Sequence, residues 1–170
     1  MATIRYAGIN ENDFINGENV SVAFFCQGCP HRCKGCHNPE TWNPTCGKDL
    51  PEDIDNIILQ AINANGIIRN FSLLGGEPLV DYNLPLSKHL VQLVKENSPQ
   101  SKIYLWTGYL LEDLDKENED IKYILNNLDV LIDGPFQMEL RDITLPLRGS
   151  SNQRVINMAA TREQGGIVLW

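Results

Sequence analysis

Residues 20–36 read VSVAFFCQGCPHRCKGC, an apolar segment that runs directly into a loop with four cysteines. The β-branched and aromatic residues at 20–25 indicate a short, largely buried strand. The loop is too tight for several independent disulfides, and such crowding is more typical of metal binding in a reducing compartment. This segment therefore predicts a strand that presents a metal site at its carboxyl end.

Three of these cysteines, Cys29, Cys33 and Cys36, have the spacing C-x3-C-x2-C. Spacers this short allow one loop to place three thiolates around a [4Fe–4S] cluster and leave the fourth iron without a protein ligand. An iron with an open position can bind and activate a small molecule, as catalytic zinc does. The spacing thus favours a catalytic iron–sulfur cluster.

The same loop can be divided as C-x2-C-x3-C-x2-C, with Cys26 as a fourth ligand of structural zinc or of a closed cluster. Zinc modules usually have a longer spacer between their cysteine pairs, and ferredoxin-type clusters place the wider gap elsewhere. We expect Cys26 to be a buried thiol at the strand end and Cys46 to be incidental, but the four-ligand alternative stays open.

Helix-like and strand-like segments alternate along the rest of the chain. Apolar residues at helical spacing or in short runs mark helices at 51–64, 86–94 and 121–128 and strands at 67–74, 102–106 and 129–132. Such alternation predicts an α/β fold of parallel strands with right-handed crossovers. Because an eight-stranded barrel takes about 250 residues, we expect a partial, open parallel β/α barrel that forms a single domain over residues 1–170.

Distinctive residues follow the predicted strands. Gly75-Gly76-Glu77-Pro78 follows the second strand, Thr107 the third and Asp133 the fourth. The carboxyl ends of parallel strands share one edge, where α/β proteins place their sites, so we expect these residues beside the cysteine loop. Glycines let the backbone approach a ligand closely, although a plain turn explains Gly-Gly equally well. Thr107 and Asp133 are equally consistent with turn or cap residues.

Charge and composition disfavour several classes of function. A net charge of −8 and an isoelectric point near 4.8 disfavour binding to a phosphate backbone. No apolar run approaches the roughly 18 residues that cross a bilayer, and the first twenty residues lack the apolar core of a signal peptide. We therefore expect a cytoplasmic protein that binds neither nucleic acid nor membrane.

Taken together, the motifs resemble those of the radical SAM superfamily, whose members bind S-adenosylmethionine (SAM) at a three-cysteine [4Fe–4S] cluster. The Pro39-Glu40-Thr41-Trp42 run, the Asp133-Gly134-Pro135-Phe136 run and residues 147–154 (LRGSSNQR) are more specific. They are similar to the activating proteins of anaerobic ribonucleoside-triphosphate reductase, which are glycyl-radical-enzyme activases. The similarity extends over about residues 5–157.

The resemblance implies a set of site residues. These are Cys29, Cys33 and Cys36 as cluster ligands and Gly75, Gly76 and Glu77 around the SAM amino group. From their places at strand ends, Thr107 and Asp133 could reach the SAM carboxylate or ribose, and His37 could stack or hydrogen-bond near the cofactor. Beyond the cluster ligands, no catalytic side chain is implied. One departure from the superfamily is Gly35, which stands where an aromatic residue often packs near the adenine; His37 or Trp42 are candidates to replace it.

The resemblance also implies a reaction and partners. One electron and SAM are consumed to abstract a hydrogen atom from a glycine of the partner reductase, and a flavodoxin or ferredoxin supplies the electron. His31, Arg32 and Lys34 lie among the cysteines and are candidates to dock an acidic electron donor.

The polar run at 148–154 is a second candidate for partner binding. Arg148, Ser150, Asn152 and Gln153 could hydrogen-bond an extended peptide of the reductase. A surface loop that leads into a final strand explains the same residues equally well.

Other functions stay open at this stage. They are an activase of another glycyl-radical enzyme of the formate lyase type, a small radical SAM enzyme of deazaguanine synthesis, and a non-catalytic iron–sulfur or zinc module. The Pro-Glu-Thr-Trp and Arg-Gly-Ser-Ser-Asn-Gln runs favour the reductase activases.

Overall fold

The computed structural model describes residues 3–170, which form a mixed α/β fold on one sheet. In these residues the sheet has seven strands, in the order β3-β1-β2-β4-β5-β6-β7. The strands are β1 (Arg5–Asp13), β2 (Ser21–Cys26), β3 (Lys48–Asp49), β4 (Asn70–Gly75), β5 (Ile103–Trp106), β6 (Val130–Asp133) and β7 (Arg154–Asn157). Residues 1 and 2, which the single-domain prediction includes, lie outside the described residues.

The middle of the sheet is parallel and its flanks are antiparallel. Strands β2, β4, β5 and β6 run parallel, in register from Ser21 opposite Asn70 to Cys26 opposite Gly75 in the first pair. Strand β1 is antiparallel to both β2 and β3, and β7 is antiparallel to β6. Parallel neighbours need crossover connections, and the helices between them supply these.

Helices cover one face of this sheet. They are α1 (Ile54–Ile62), α2 (Leu84–Asn97), α3 (Glu119–Asn127) and α4 (Met158–Gln164). Alternate strand residues such as Phe24, Leu73 and Leu105 pack with Ile58 and Leu90 in one fully buried core. Burying each side chain of this size contributes about 1.5–3 kcal/mol, so this face carries much of the stability.

Loops cover part of the opposite face. Residues 14–20 cross it at the amino ends of the strands, where the Glu18 carboxylate accepts a hydrogen bond of 2.8 Å from the Tyr104 hydroxyl. Further toward the carboxyl edge, the indole Nε1 of Trp106 donates to the carbonyl of Leu147 at 2.7 Å. A cavity lies between these two loops.

The predicted alternation of strands and helices is confirmed, but the sheet has more strands than the sequence indicated. All three predicted helices and the four parallel strands are present. Strand β1 was not expected, because its run RYAGINEND mixes polar and turn-forming residues and its pairing with β2 decides its conformation. Antiparallel β1, β3 and β7 correct the expectation of parallel strands throughout.

Strand β4 begins later than predicted, at Asn70 rather than at residue 67. Ile67 and Ile68 precede it, exposed at the amino edge of the sheet.

Within the described residues, none of the helices combines the length and the apolar character that a membrane span requires.

Arg154 fastens the last strand to the sheet. Its guanidinium pairs with the fully buried Asp133 carboxylate at the end of β6, with Nε to Oδ1 at 2.9 Å, and with Glu112 at 2.8 Å. The hydrogen bonds from Arg154 lower the pKa of Glu112 to about 2. Removing this cation would leave a buried carboxylate without its partner, which is strongly destabilising.

We predict that Arg154→Met lowers the free energy of unfolding by about 3 kcal/mol at pH 7, measured by urea denaturation. Lys122→Met is the control, because both side chains of its pair with Glu119 are more than half exposed and such pairs contribute at most about 1 kcal/mol. An Arg154→Met loss no larger than the Lys122→Met loss would contradict this role.

Candidate active site at the carboxyl edge of the sheet

The cysteine loop and the loops after β4 and β5 meet around one cavity of about 570 Å³. Its floor is the helix-free face of the sheet, with Phe25, Leu74 and Trp106. Residues from the loops at 15–16 and 143–149 form the opposite wall. The expectation that the carboxyl-edge loops gather is confirmed, and the volume lies in the range of small-molecule and cofactor sites.

Cys29, Cys33 and Cys36 all line this cavity and are all free thiols. Burial raises the pKa of Cys29 to about 11, and it also raises that of Cys33. Cys26 instead belongs to the apolar core on the helix-covered face, where burial raises its pKa to about 12. The cysteines therefore divide into a set of three at the cavity and one in the core, while Cys46 is exposed.

The donor set fits an iron–sulfur cluster. Across residues 3–170, no three His, Cys, Asp or Glu side chains are close enough together to hold one metal ion. A cubane makes a different demand, because each thiolate binds a separate iron at its own corner. Three half-buried cysteines on one short loop, facing a cavity, meet that demand.

The Glu77 carboxylate joins three loops beneath the cavity. It is 1% exposed, and its Oε1 accepts from Leu79 N and Thr107 Oγ1, both at 2.9 Å. Its Oε2 accepts from Gly108 N and is paired with His31 Nε2, both at 2.8 Å. The cysteine loop, the loop after β4 and the loop after β5 are thus held together by one side chain.

Gly75 and Gly76 are required by the neighbouring backbone. Gly76 N donates to the Cys26 carbonyl at 2.9 Å, and Glu77 N donates to the Gly28 carbonyl at 2.8 Å. A Cβ on Gly76 would collide with that same Gly28 carbonyl. Gly75 has φ +106°, and its Cβ would lie 2.6 Å from Cys26 N. The pair therefore lets the β4 loop lie directly against the cysteine loop.

The structure brings Thr107 to the cavity but not the Asp133 side chain. Thr107 lines the cavity while its hydroxyl donates to Glu77. Asp133 accepts from Arg154 and from Leu111 N at 2.8 Å, on the far side of the sheet. Its contacts are those of a buried structural carboxylate, and only the next residue, Gly134, lines the cavity.

An aromatic residue that the sequence did not single out stands near Gly35. A Cβ on Gly35 would lie 2.6 Å from the sulfur of Met138 and 3.4 Å from the Phe136 ring, so that space is already filled. Phe136 lines the cavity and packs edge-on against His37, with ring centroids 5.6 Å apart. The Asp-Gly-Pro-Phe run was the only sequence signal for it. Trp42 does not line the cavity.

The polar side chains at 148–153 bind within their own segment and to the loop that follows β6. Gln153 Oε1 accepts from Gly149 N at 3.0 Å, and its Nε2 donates to the Gly134 carbonyl at 3.0 Å. Ser150 is fully buried, and Asn152 Nδ2 donates to the Pro135 carbonyl at 2.7 Å. Arg148 and Gln153 line the cavity, so this segment forms part of its wall, and its binding of a partner peptide stays a prediction.

The three basic residues of the cysteine loop, His31, Arg32 and Lys34, differ in their contacts and exposure. His31 is held by Glu77 and packs edge-on against Tyr109 at 4.5 Å between centroids. Arg32 and Lys34 are exposed. Of these three residues, Arg32 and Lys34 are therefore the ones whose charged groups a docking protein can reach.

Comparison with known proteins shows which family the sequence belongs to. Residues 15–156 match the family described as a 4Fe-4S single cluster domain. The anaerobic ribonucleoside-triphosphate reductase-activating protein of Salmonella typhi is 37% identical over 153 residues, which are 89% of this chain and 97% of that protein. The proteins of the same name from Vibrio cholerae and from Enterobacteria phage T4 are 39% and 37% identical, over 83% and 89% of this chain and 90% and 93% of theirs.

The chain belongs to the family of anaerobic ribonucleoside-triphosphate reductase-activating proteins. The resemblance drawn from the cysteine loop, the Asp-Gly-Pro-Phe run and the LRGSSNQR run is thereby confirmed. The family match spans every loop that lines the cavity, from Ile15 to Gln153. Membership of this activase family also supports an iron–sulfur enzyme over a zinc module.

We predict that Glu77→Gln destabilises the protein by about 2–3 kcal/mol. Whichever way the amide is oriented, its NH₂ faces a backbone N–H, of Leu79 or of Gly108, which then loses its acceptor. Urea denaturation at equal iron content measures the loss. Glu119→Gln, at an exposed helix position, is the control and is expected to change stability by less than about 0.5 kcal/mol. Equal losses in the two variants would show that Glu77 does not hold the loops.

Proposed function

We propose that this chain activates an anaerobic ribonucleoside-triphosphate reductase by forming a glycyl radical on it, with SAM cleaved reductively at a [4Fe–4S] cluster. The observation that carries the proposal is the meeting of Cys29, Cys33 and Cys36 with the Gly75–Glu77 segment on one cavity. The names of the relatives support the reductase as the target.

In this proposal, Cys29, Cys33 and Cys36 would each bind one iron of the cluster, and the remaining iron would be free to bind SAM. Cys26 takes no part, because its thiol is buried in the core on the other face of the sheet. The loop is preformed by backbone contacts, in which Gly28 N and Cys29 N donate to the carbonyls of Thr41 and Trp42 at 2.7 and 3.1 Å. The thiols are therefore positioned before metal arrives, which lowers the entropic cost of binding.

The cavity offers complementary groups for the parts of SAM. Carbonyl oxygens of the Gly75–Glu77 segment are acceptors for the amino group. Arg148 lines the cavity with its buried Nε lacking an acceptor among the described residues, which suits the carboxylate. His37 and Phe136 offer ring faces or edges to the adenine, and Thr107 lies near enough to the cavity for a ribose contact. A cofactor role for Asp133 stays a prediction without a contact to support it.

A cluster held by Cys29, Cys33 and Cys36 would supply the electron for reductive cleavage of SAM to methionine and a 5′-deoxyadenosyl radical. The chain's residues then have to limit access of water and of competing hydrogen donors, and the apolar floor of Phe25, Leu74 and Trp106 does so on one side of the cavity. Overall, SAM, one electron and the target glycine give methionine, 5′-deoxyadenosine and a glycyl radical. No general acid or base is needed, because the chemistry belongs to the cofactor.

We also propose the wider setting of this reaction. The sheet is the partial, open barrel of a single radical SAM domain, which works in the cytoplasm under anaerobic conditions. A flavodoxin or ferredoxin delivers the electron and docks at the exposed Arg32 and Lys34, two cations on a chain of net charge −8. Neither nucleic acid nor membrane is a partner.

We predict that the protein, reconstituted anaerobically with iron and sulfide and then reduced, forms methionine and 5′-deoxyadenosine from SAM. Cys29→Ala, Cys33→Ala and Cys36→Ala are each expected to abolish this cleavage, because a cubane that lacks one of its three cysteine ligands is not held in the site. Chromatography of the products measures the loss.

Cys26→Ala is the matched control and is expected to retain cleavage, since its thiol faces the core. Cleavage that is abolished equally in Cys26→Ala at normal iron content would support a four-cysteine cluster instead. A protein with a full, reduced cluster and no cleavage at all would support an electron carrier and contradict the proposal.

A further inference from the structure

Three apolar side chains stand out at the mouth of the cavity. Among the large apolar residues of the described chain, Phe14, Ile15 and Ile143 are the most exposed, at 75%, 82% and 81%. They lie on two loops far apart in sequence, yet Ile15 and Ile143 line the same cavity and Phe14 adjoins Ile15. We call these three residues the apolar rim.

The exposure of the rim is built into the fold. Asp13 Oδ1 accepts from Ile15 N and Asn16 N, both at 2.8 Å, which fixes the first loop. Asp142 Oδ1 accepts from Thr144 N at 2.9 Å and fixes the second in the same way. Both loops therefore hold apolar side chains in water, an arrangement that is costly for the free protein and typical of interaction sites.

Exposed apolar side chains also occur elsewhere on the chain, but they differ from the rim in position. Ile67 and Ile68 lie at the amino edge of the sheet, away from the cavity, and are 53% and 49% exposed. Of the exposed large apolar residues in the described chain, Ile15 and Ile143 line the cavity in which the proposed chemistry takes place. A segment that enters the cavity between the two loops has to pass between Ile15 and Ile143.

The chemistry of the target residue explains why an apolar rim is needed. A glycine has no side chain, so a protein that selects one glycine must recognise the residues that flank it. The rim carries no charge, and burying an exposed Ile or Phe against an apolar partner residue is favourable and also excludes water from the cavity. Apolar residues on either side of the target glycine would supply that partner surface.

We propose that the apolar rim binds the polypeptide segment of the reductase that carries the target glycine, through apolar side chains that flank this glycine. The inference rests on the proposed function and adds the surface and the chemistry by which the partner is recognised. Phe14 and Ile143 contact the segment from two sides, and its glycine lies in the cavity.

The test measures the affinity of the reconstituted protein for the purified, radical-free reductase of the same organism, by anaerobic sedimentation. Phe14→Ser and Ile143→Ser are each expected to weaken binding about tenfold, and the double variant more. Both side chains are exposed, so folding should be preserved, and thermal unfolding checks this. Ile67→Ser is the control and is expected to bind as tightly as the wild type.

A second measurement separates this inference from the proposed function. The glycyl radical formed per SAM cleaved, from electron paramagnetic resonance and product analysis, should fall in the two rim variants and not in Ile67→Ser. A wild type that cleaves no SAM overturns the proposed function. A wild type that cleaves SAM, with rim variants that bind and activate the reductase normally, overturns the inference alone.

A third outcome concerns the occupant of the rim. If the wild type self-associates and the rim variants abolish this without weakening reductase binding, the rim binds a second copy of the chain and the proposal is wrong.

Discussion

The site depends on one buried carboxylate with four hydrogen-bond donors around it. Glu77 joins His31 of the cysteine loop, Leu79 of its own loop, and Thr107 and Gly108 of the loop after β5. A buried charge is tolerated only when such donors replace its water. The same side chain that makes burial possible therefore fixes the relative positions of three loops. Gly75 and Gly76 bring the backbone close enough for this, since a Cβ on either would collide with the residues at 25–28.

One face of the sheet packs the apolar core that stabilises the fold, and the other face carries the candidate site. Helices and strands bury a continuous apolar core on one face, and Cys26 lies in it as an ordinary buried thiol. The other face is covered by two loops that leave a cavity between them. Because none of the helices in the described residues packs there, the cavity can open toward solvent. Arg154 ties β7 to Asp133 and so anchors the end of the 148–154 wall.

Much of this could be predicted from the sequence, and the gaps have physical causes. The parallel strands, the helices and the meeting of the carboxyl-edge loops followed from hydrophobic periodicity, which reports burial directly. Strand β1 was missed because its pairing with β2, rather than its own composition, makes it a strand. The side-chain direction of Asp133 was equally hidden, since a residue at a strand end can turn either way. Phe136 and the apolar rim come from loops, where local sequence carries no periodic signal.

The cysteine loop shows how burial and metal binding support each other. Burial raises the pKa of Cys29 to about 11, so without metal its thiol is protonated and neutral, which is the form an apolar wall tolerates. Iron would replace the thiol protons of Cys29, Cys33 and Cys36. Its positive charge would offset the desolvation cost of three thiolates in a half-buried site. The surroundings that make a bare thiolate unfavourable would thus favour a complete cluster, whose charge is shared among several atoms. The loop would also keep that cluster at the cavity, because Glu77 and the Gly75–Gly76 backbone hold it from beneath.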